Sequence, residues 1–104
     1  MTRIQDMITY ADGTLASGRI VLNWPSYQFG GVTIAPGQQP VPIAPDGSFT
    51  VDVYPTIGAT PTGVFFTAVY KLDKGPVYRE YWMIPSLPVV SIGAIRTIPQ
   101  MVTN

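Results

Sequence analysis

VFFTAVYKLDKGPVYREYWMI, residues 64–84, is the stretch on which the fold turns. Two apolar, β-branched and aromatic runs, 64–72 and 77–84, flank Asp73-Lys74-Gly75-Pro76. A short Gly-containing connection between two such runs reads as a β-hairpin. Strand side chains alternate between faces. Val64, Phe66, Ala68, Tyr70 and Leu72 therefore share one face, and Tyr78, Glu80, Trp82 and Ile84 share one face of the partner. The opposite faces are not polar, because Phe65, Val69, Tyr81 and Met83 lie there. A hairpin apolar on both sides needs two partners: its own core, and another chain or a neighbouring domain.

Outward from the hairpin the same alternation recurs between turn signals. Residues 3–10 form a first strand with Ile4, Ile8 and Tyr10 on one face, closed by Asp12-Gly13. Asp can bond its own backbone there and Gly tolerates positive φ. Residues 18–24 form a second strand, with Ile20, Leu22 and Trp24 facing one way and Arg19, Val21 and Asn23 the other. Pro25 ends it. Residues 26–31 read as a loop carrying Tyr27 and Phe29, and 32–35 as a short strand. Residues 38–44 are extended, with Pro40 and Pro42 confining them to a sheet edge. Pro45-Asp46-Gly47-Ser48 is the strongest turn. After it Phe49, Val51 and Val53 alternate with Thr50, Asp52 and Tyr54. Residues 55–63 form a long crossing loop, and 89–98 a last strand with a possible bulge at Gly93.

Turns about every 8–12 residues between short strands are the signature of a β-sandwich or small barrel. The 104 residues suit one domain, with a core over about 4–96 and a tail over 97–104. Eleven Pro and ten Gly interrupt the chain too often for long helices. There is no Cys, so an antibody-type Cys…Trp…Cys framework is excluded, and a reducing cytosol suits the chain's synthesis. Six basic and six acidic residues leave no net charge. Such a chain lacks a long-range field for phosphate backbones, so nucleic acid is not an expected partner, and near-neutrality favours association. Residues 1–6 do not resemble a signal peptide, and no run approaches the roughly 20 apolar residues of a spanning helix.

Catalytic chemistry has few candidates. Without His or Cys there is no Ser-His-Asp triad, no thiol nucleophile and no ordinary zinc site. Asp12, Asp46 and Asp73 sit at or beside turn glycines, where turn formation explains them. Asp52 lies mid-strand on the solvent side. Glu80 is the one carboxylate on an aromatic face, where Lys71, Arg79 or a cross-strand neighbour could pair with it. A glycosidase needs a second facing carboxylate, and nothing in the sequence supplies one. No enzyme activity, cofactor or metal is expected. The two Trp, six Tyr and four Phe are the more informative group. Trp24 and Trp82 are in phase with apolar neighbours and read as core or core rim. Alternatively Trp24, Trp82, Tyr54 and Tyr78 form a platform for stacking on sugars. Phe65, Val69, Tyr81 and Met83, with the loop aromatics Tyr27 and Phe29, are the candidate protein interface, since aromatic residues are enriched in such surfaces.

Three segments taken together carry a resemblance: ITYADGTLASGRI at 8–20, PDGSFTVDVYP at 45–55, and GATPTG at 58–63 followed by the hairpin ending YWMIP at 81–85. This order resembles the carboxypeptidase-regulatory-like, or transthyretin-like, β-sandwich domains. The version with the Gly-Ala-Thr-Pro loop and the Trp-x-x-Pro ending is similar to small sandwich modules of phage and prophage tail, fibre, baseplate and decoration or adaptor proteins. The resemblance covers about residues 4–96, but residues 25–45 do not follow its pattern. It implies a single immunoglobulin-like (transthyretin-like) sandwich of seven or eight short, mainly antiparallel strands. It also implies a structural or adhesive role in a virion, with no catalytic residues to carry over. The expected partners are further copies of the chain or larger virion proteins. The alternative is a host-surface glycan bound by an adhesion module or by an accessory domain of a larger protein.

Overall fold

A computed structural model describes residues 1–97. The chain is all-β apart from one helical turn. Its strands are β1 (Thr2–Met7), β2 (Gly18–Trp24), β3 (Tyr27–Phe29), β4 (Val32–Ile34), β5 (Gly37–Pro42), β6 (Ser48–Val53), β7 (Phe66–Leu72), β8 (Tyr78–Trp82), β9 (Val89–Val90) and β10 (Arg96–Thr97), with α1 (Ile92–Ile95) between the last two. Two sheets enclose one core. The smaller has the order β6-β1-β9, with β6 antiparallel and β9 parallel to β1. The larger is wholly antiparallel in the order β10-β8-β7-β2-β5. A separate β3-β4 ribbon lies at one end. No helix among the described residues is long and apolar enough to cross a membrane.

The period-two pattern sets which side chains face inward. Ile4, Phe49, Val51, Val53 and Val90 from the smaller sheet meet Ile20, Leu22, Phe66, Ala68, Tyr70 and Trp82 from the larger. The hairpin of residues 64–84 is formed as read, with Phe66 opposite Trp82 and Tyr70 opposite Tyr78. β5 pairs only with β2, so Pro40 and Pro42 cost no second ladder. The Asp46-Gly47 turn carries the chain from the larger sheet to the smaller. The loop over 55–63 carries it back, and Ile84 N–H donates to the Thr56 hydroxyl at 2.8 Å in its buried wall.

Three expectations are corrected. Residues 26–31 are not a loop: Gly30 and Gly31, at φ 58° and 80°, make the two-residue turn of the β3-β4 hairpin. This hairpin buries Tyr27, whose hydroxyl donates to the Tyr54 carbonyl at 3.0 Å. The segment read as one strand over 89–98 is split between the two sheets by α1, because Asp6 Oδ2 accepts the Ile92 N–H at 2.9 Å and turns the backbone there. Its residue 98 and the tail beyond 97 lie outside the described residues. The ten strands among the described residues exceed the seven or eight expected, because β3 is three residues long and too short for a periodic signal, and because the single strand read over 89–98 is divided into β9 and β10.

Candidate interaction surface

The outer face of the five-stranded sheet is built from the alternate positions of the same strands that make the core. Cross-strand register lays it out in rows. Tyr81, Thr67, Asn23 and Gln38 form one row across β8, β7, β2 and β5. Arg79, Val69, Val21 and Pro40 form the next, and Lys71, Arg19 and Pro42 the next again. Phe65 and Met83 flank the first row, and the Phe65 and Tyr81 rings meet edge to face at 5.3 Å. Phe65, Val69, Tyr81 and Met83 are all half-buried, and no element among the described residues packs over them. The four residues singled out from the sequence thus do come together. Val21 lies on the same face but is 4% exposed, wedged between Val69 and Pro40, and supports the strip from beneath without offering surface of its own. Its alternation with Ile20 and Leu22 was the signal that could have identified it.

The two loop aromatics lie elsewhere. Tyr27 is in the core and offers no surface to a partner. Phe29 packs against the core at the β3-β4 end. Burial pushes the Tyr27 phenol up to about 12, with the Tyr54 phenol adding to the effect.

The sugar-stacking set is not assembled as one platform. Trp82 is fully buried, which removes it. Tyr54 is half-buried, and Tyr78 lies in the Glu80 region with its ring stacked on Tyr70 at 4.5 Å. Trp24 is held within the protein: its ring stacks on Phe66 at 5.1 Å, its Nε1 donates to the Ala35 carbonyl at 2.9 Å, and Gly37 passes close beneath it. Trp24 does line an open cleft of about 580 Å³ with Phe65, Asn23, Gln38 and Thr67.

Glu80 pairs with neither Lys71 nor Arg79, because both project from the opposite face of the sheet. Its carboxylate accepts the Tyr70 hydroxyl and, at 2.9 Å, the Trp82 Nε1–H, and it pairs with Arg96 at 3.2 Å. Burial, then the bond to Glu80, holds the Tyr70 phenol far above its ordinary range. Burial also raises Tyr78, followed by the Glu80 charge. The Glu80 charge raises Arg96 in turn. Arg96 comes from β10, which pairs with β8, so the partner is the cross-strand neighbour the sequence allowed for; the sequence could not say which residue it is, because that depends on β10 pairing with β8.

Asp12 and Asp46 form turns as read. Asp12 accepts from the Thr14 N–H and hydroxyl, at 3.0 and 2.6 Å, and Asp46 from those of Ser48 at the same distances. These bonds lower both carboxyl pKa values. Asp52 faces solvent but is paired with Arg3 at 3.0 Å. The arrangement as a whole is an all-β protein in which no element among the described residues packs over the outer face of the larger sheet. No protein-family model matches the chain, and no curated protein matches it.

Proposed function

We propose that this chain is a non-enzymatic packing module of a phage particle, acting through the outer face of its five-stranded sheet. The observation that carries the reading is the set of half-buried apolar side chains Phe65, Val69, Tyr81 and Met83, over which no element among the described residues packs, on a sheet whose other side already fills the core. A sheet with two apolar faces is stable in water when both are covered. The virion setting comes from the transthyretin-like turn motifs at residues 8–20, 45–55 and 58–63, and a structural role in a tail, fibre, baseplate or decoration protein follows from that resemblance. The chain's low charge, 12%, favours close packing of protein on protein.

The test is the solution mass by light scattering over a range of concentrations, for the wild type and Tyr81→Ala. The wild type is expected to form discrete assemblies. Tyr81→Ala should weaken them while the isolated domain stays folded. A wild type that stays monomeric throughout sinks the reading. If Tyr81→Ala unfolds the monomer, Tyr81 belongs to the core and its assignment is wrong.

The cleft beside Trp24 favours a second reading, adhesion to a neutral glycan. Aromatic walls with the Asn23 and Gln38 amides and the Thr67 hydroxyl are the lining such a ligand needs. A Trp fluorescence titration with surface glycans would shift if they bind there, and an unchanged spectrum with every glycan removes this reading.

A further inference from the structure

The net charge is zero, yet the charges are sorted in space. Arg19 and Lys71 are directly opposed across β2 and β7, and Arg79 stands one row away opposite Val69. All three are exposed on the outer face of the larger sheet. The ion pairs among the described residues are Arg3–Asp52 and Arg96–Glu80, so none of the three is neutralised by a salt bridge there. The rows of this face hold no carboxylate, since Glu80 points inward and Asp52 belongs to the other sheet. Like charges directly opposite one another destabilise an antiparallel pair. Asp73, two residues beyond Lys71, stands where its N–H bonds the Ser17 carbonyl at 3.0 Å, but it forms no salt bridge with Arg19 or Lys71. Val69 and Pro40 occupy the neighbouring row, so the cations border an apolar strip.

The same chain carries the inverse surface. Asp12 and Asp46 tip two neighbouring turns. The Ile8 N–H donates to the Gly47 carbonyl at 2.8 Å, and the Leu15 and Met7 side chains both stand beside Gly47. Met7 is 57% and Leu15 48% exposed. Lys74, 5.5 Å from the centre of the Tyr10 ring, acts on Asp12. Asp46 has no salt-bridge partner among the described residues. This corner therefore presents exposed apolar side chains between two turn carboxylates, of which Asp46 is without a salt bridge and Asp12 has Lys74 near it.

We infer that the cationic sheet face of one copy seats the acidic, apolar corner of a second copy. Arg19, Lys71 and Arg79 meet Asp46 and Asp12, while Met7 and Leu15 cover the strip beside Val69. The inference rests on the reading of this sheet face as the packing surface, and it names the occupant. Two copies of the sheet face set against each other would bring cations together with no carboxylate between them, so the contact joins unlike surfaces. Such a contact can pass from copy to copy and close rings or extend into filaments.

Light scattering on the full chain and two variants tests this. Lys71→Glu/Arg79→Glu reverses the sheet face and places a carboxylate opposite Arg19, which suits the fold. Met7→Lys/Leu15→Lys offsets the charge of the two turn carboxylates at two exposed positions and removes the apolar side chains of the corner, leaving the turns themselves in place. Circular dichroism checks that each variant is folded. Wild type is expected to associate at about 50 mM salt and to weaken roughly tenfold by about 500 mM, because the charges are exposed. Each variant alone should be monomeric, and an equimolar mixture should reach masses that neither reaches alone. Variants that keep the wild-type mass, or a mixture that stays monomeric, overturn the inference. If the charge variants assemble normally while Tyr81→Ala does not, the packing reading stands and this contact falls. If the wild type never associates, the packing reading fails and takes this contact with it.

Discussion

Replacing Glu80 by Ala should be among the most damaging single changes outside the apolar core. The Glu80 side chain is 19% exposed, but the groups that depend on it are not. Tyr70 is 2% exposed and Trp82 0%, and the Tyr70 hydroxyl and Trp82 Nε1 both donate to the Glu80 carboxylate. Removing the acceptor leaves two donors in a mainly apolar setting, each costing about 1–3 kcal/mol. Water entering through the exposed side recovers part of this. The lost pairing with Arg96 adds little, because that side chain is 57% exposed. The expected destabilisation is about 2–5 kcal/mol, a large part of the total stability of an ordinary domain. Urea unfolding followed by Trp fluorescence measures it. Tyr70→Phe supplies the control: alone it should cost about 1 kcal/mol, and in the Glu80→Ala background close to nothing, since its donor is already unpaired. Glu80→Ala within about 0.5 kcal/mol of wild type, or an undiminished Tyr70→Phe cost in that background, would refute the network.

Three further outcomes follow from the packing. Gly18→Ala should prevent or severely weaken folding, because φ is +123° and a Cβ there would lie 2.5 Å from the Lys71 carbonyl oxygen; an unchanged thermal midpoint would contradict this geometry. Thr56→Val should cost about 1–3 kcal/mol in urea unfolding by stranding the buried Ile84 N–H, whereas Thr56→Ser should largely restore stability. At alkaline pH the folded Tyr27 phenol titrates at about 12 rather than at its ordinary 10.0, so the folded state holds its proton longer than the unfolded one. That contribution to stability is complete below about pH 10 and is lost as pH rises towards 12, by roughly 2 kcal/mol. Tyrosinate absorbance should then show a cooperative late step that coincides with loss of near-ultraviolet circular dichroism, and a smooth single titration of all the tyrosines near pH 10 would argue against their burial.

The local devices were legible because they depend on neighbours in sequence. Alternation placed Ile20 and Leu22 on one face of β2 and Phe49, Val51 and Val53 on one face of β6. Asp-Gly chemistry marked the turns at Asp12 and Asp46, and Pro40 and Pro42 marked β5 as an edge. The β3-β4 hairpin was missed although Gly30-Gly31 between Phe29 and Val32 is a two-residue turn signal, because three-residue strands show no period. Of the candidate surface, Phe65, Val69, Tyr81 and Met83 followed from one hairpin apolar on both sides. Tyr27 was offered to a partner as a loop aromatic and packing withdrew it, whereas the burial of Trp82 agrees with its reading as core and removes only the alternative of a sugar platform.

The sequence by itself determined that this chain is made of short strands, where its main turns fall, and that one hairpin has more apolar surface than a single core can cover. Period-two alternation and the φ preferences of Gly, Pro and Asp act over a few residues, so a linear reading recovers them. Only the tertiary structure decided which sheet each strand joins, that residues 89–97 serve both sheets, and that Glu80 answers to Tyr70, Trp82 and Arg96. It also decided that Arg19, Lys71 and Arg79 gather on one face while Asp12 and Asp46 sit at one corner. Those outcomes depend on strand order and register between segments far apart in the chain, and a zero net charge carries no record of where its parts are placed.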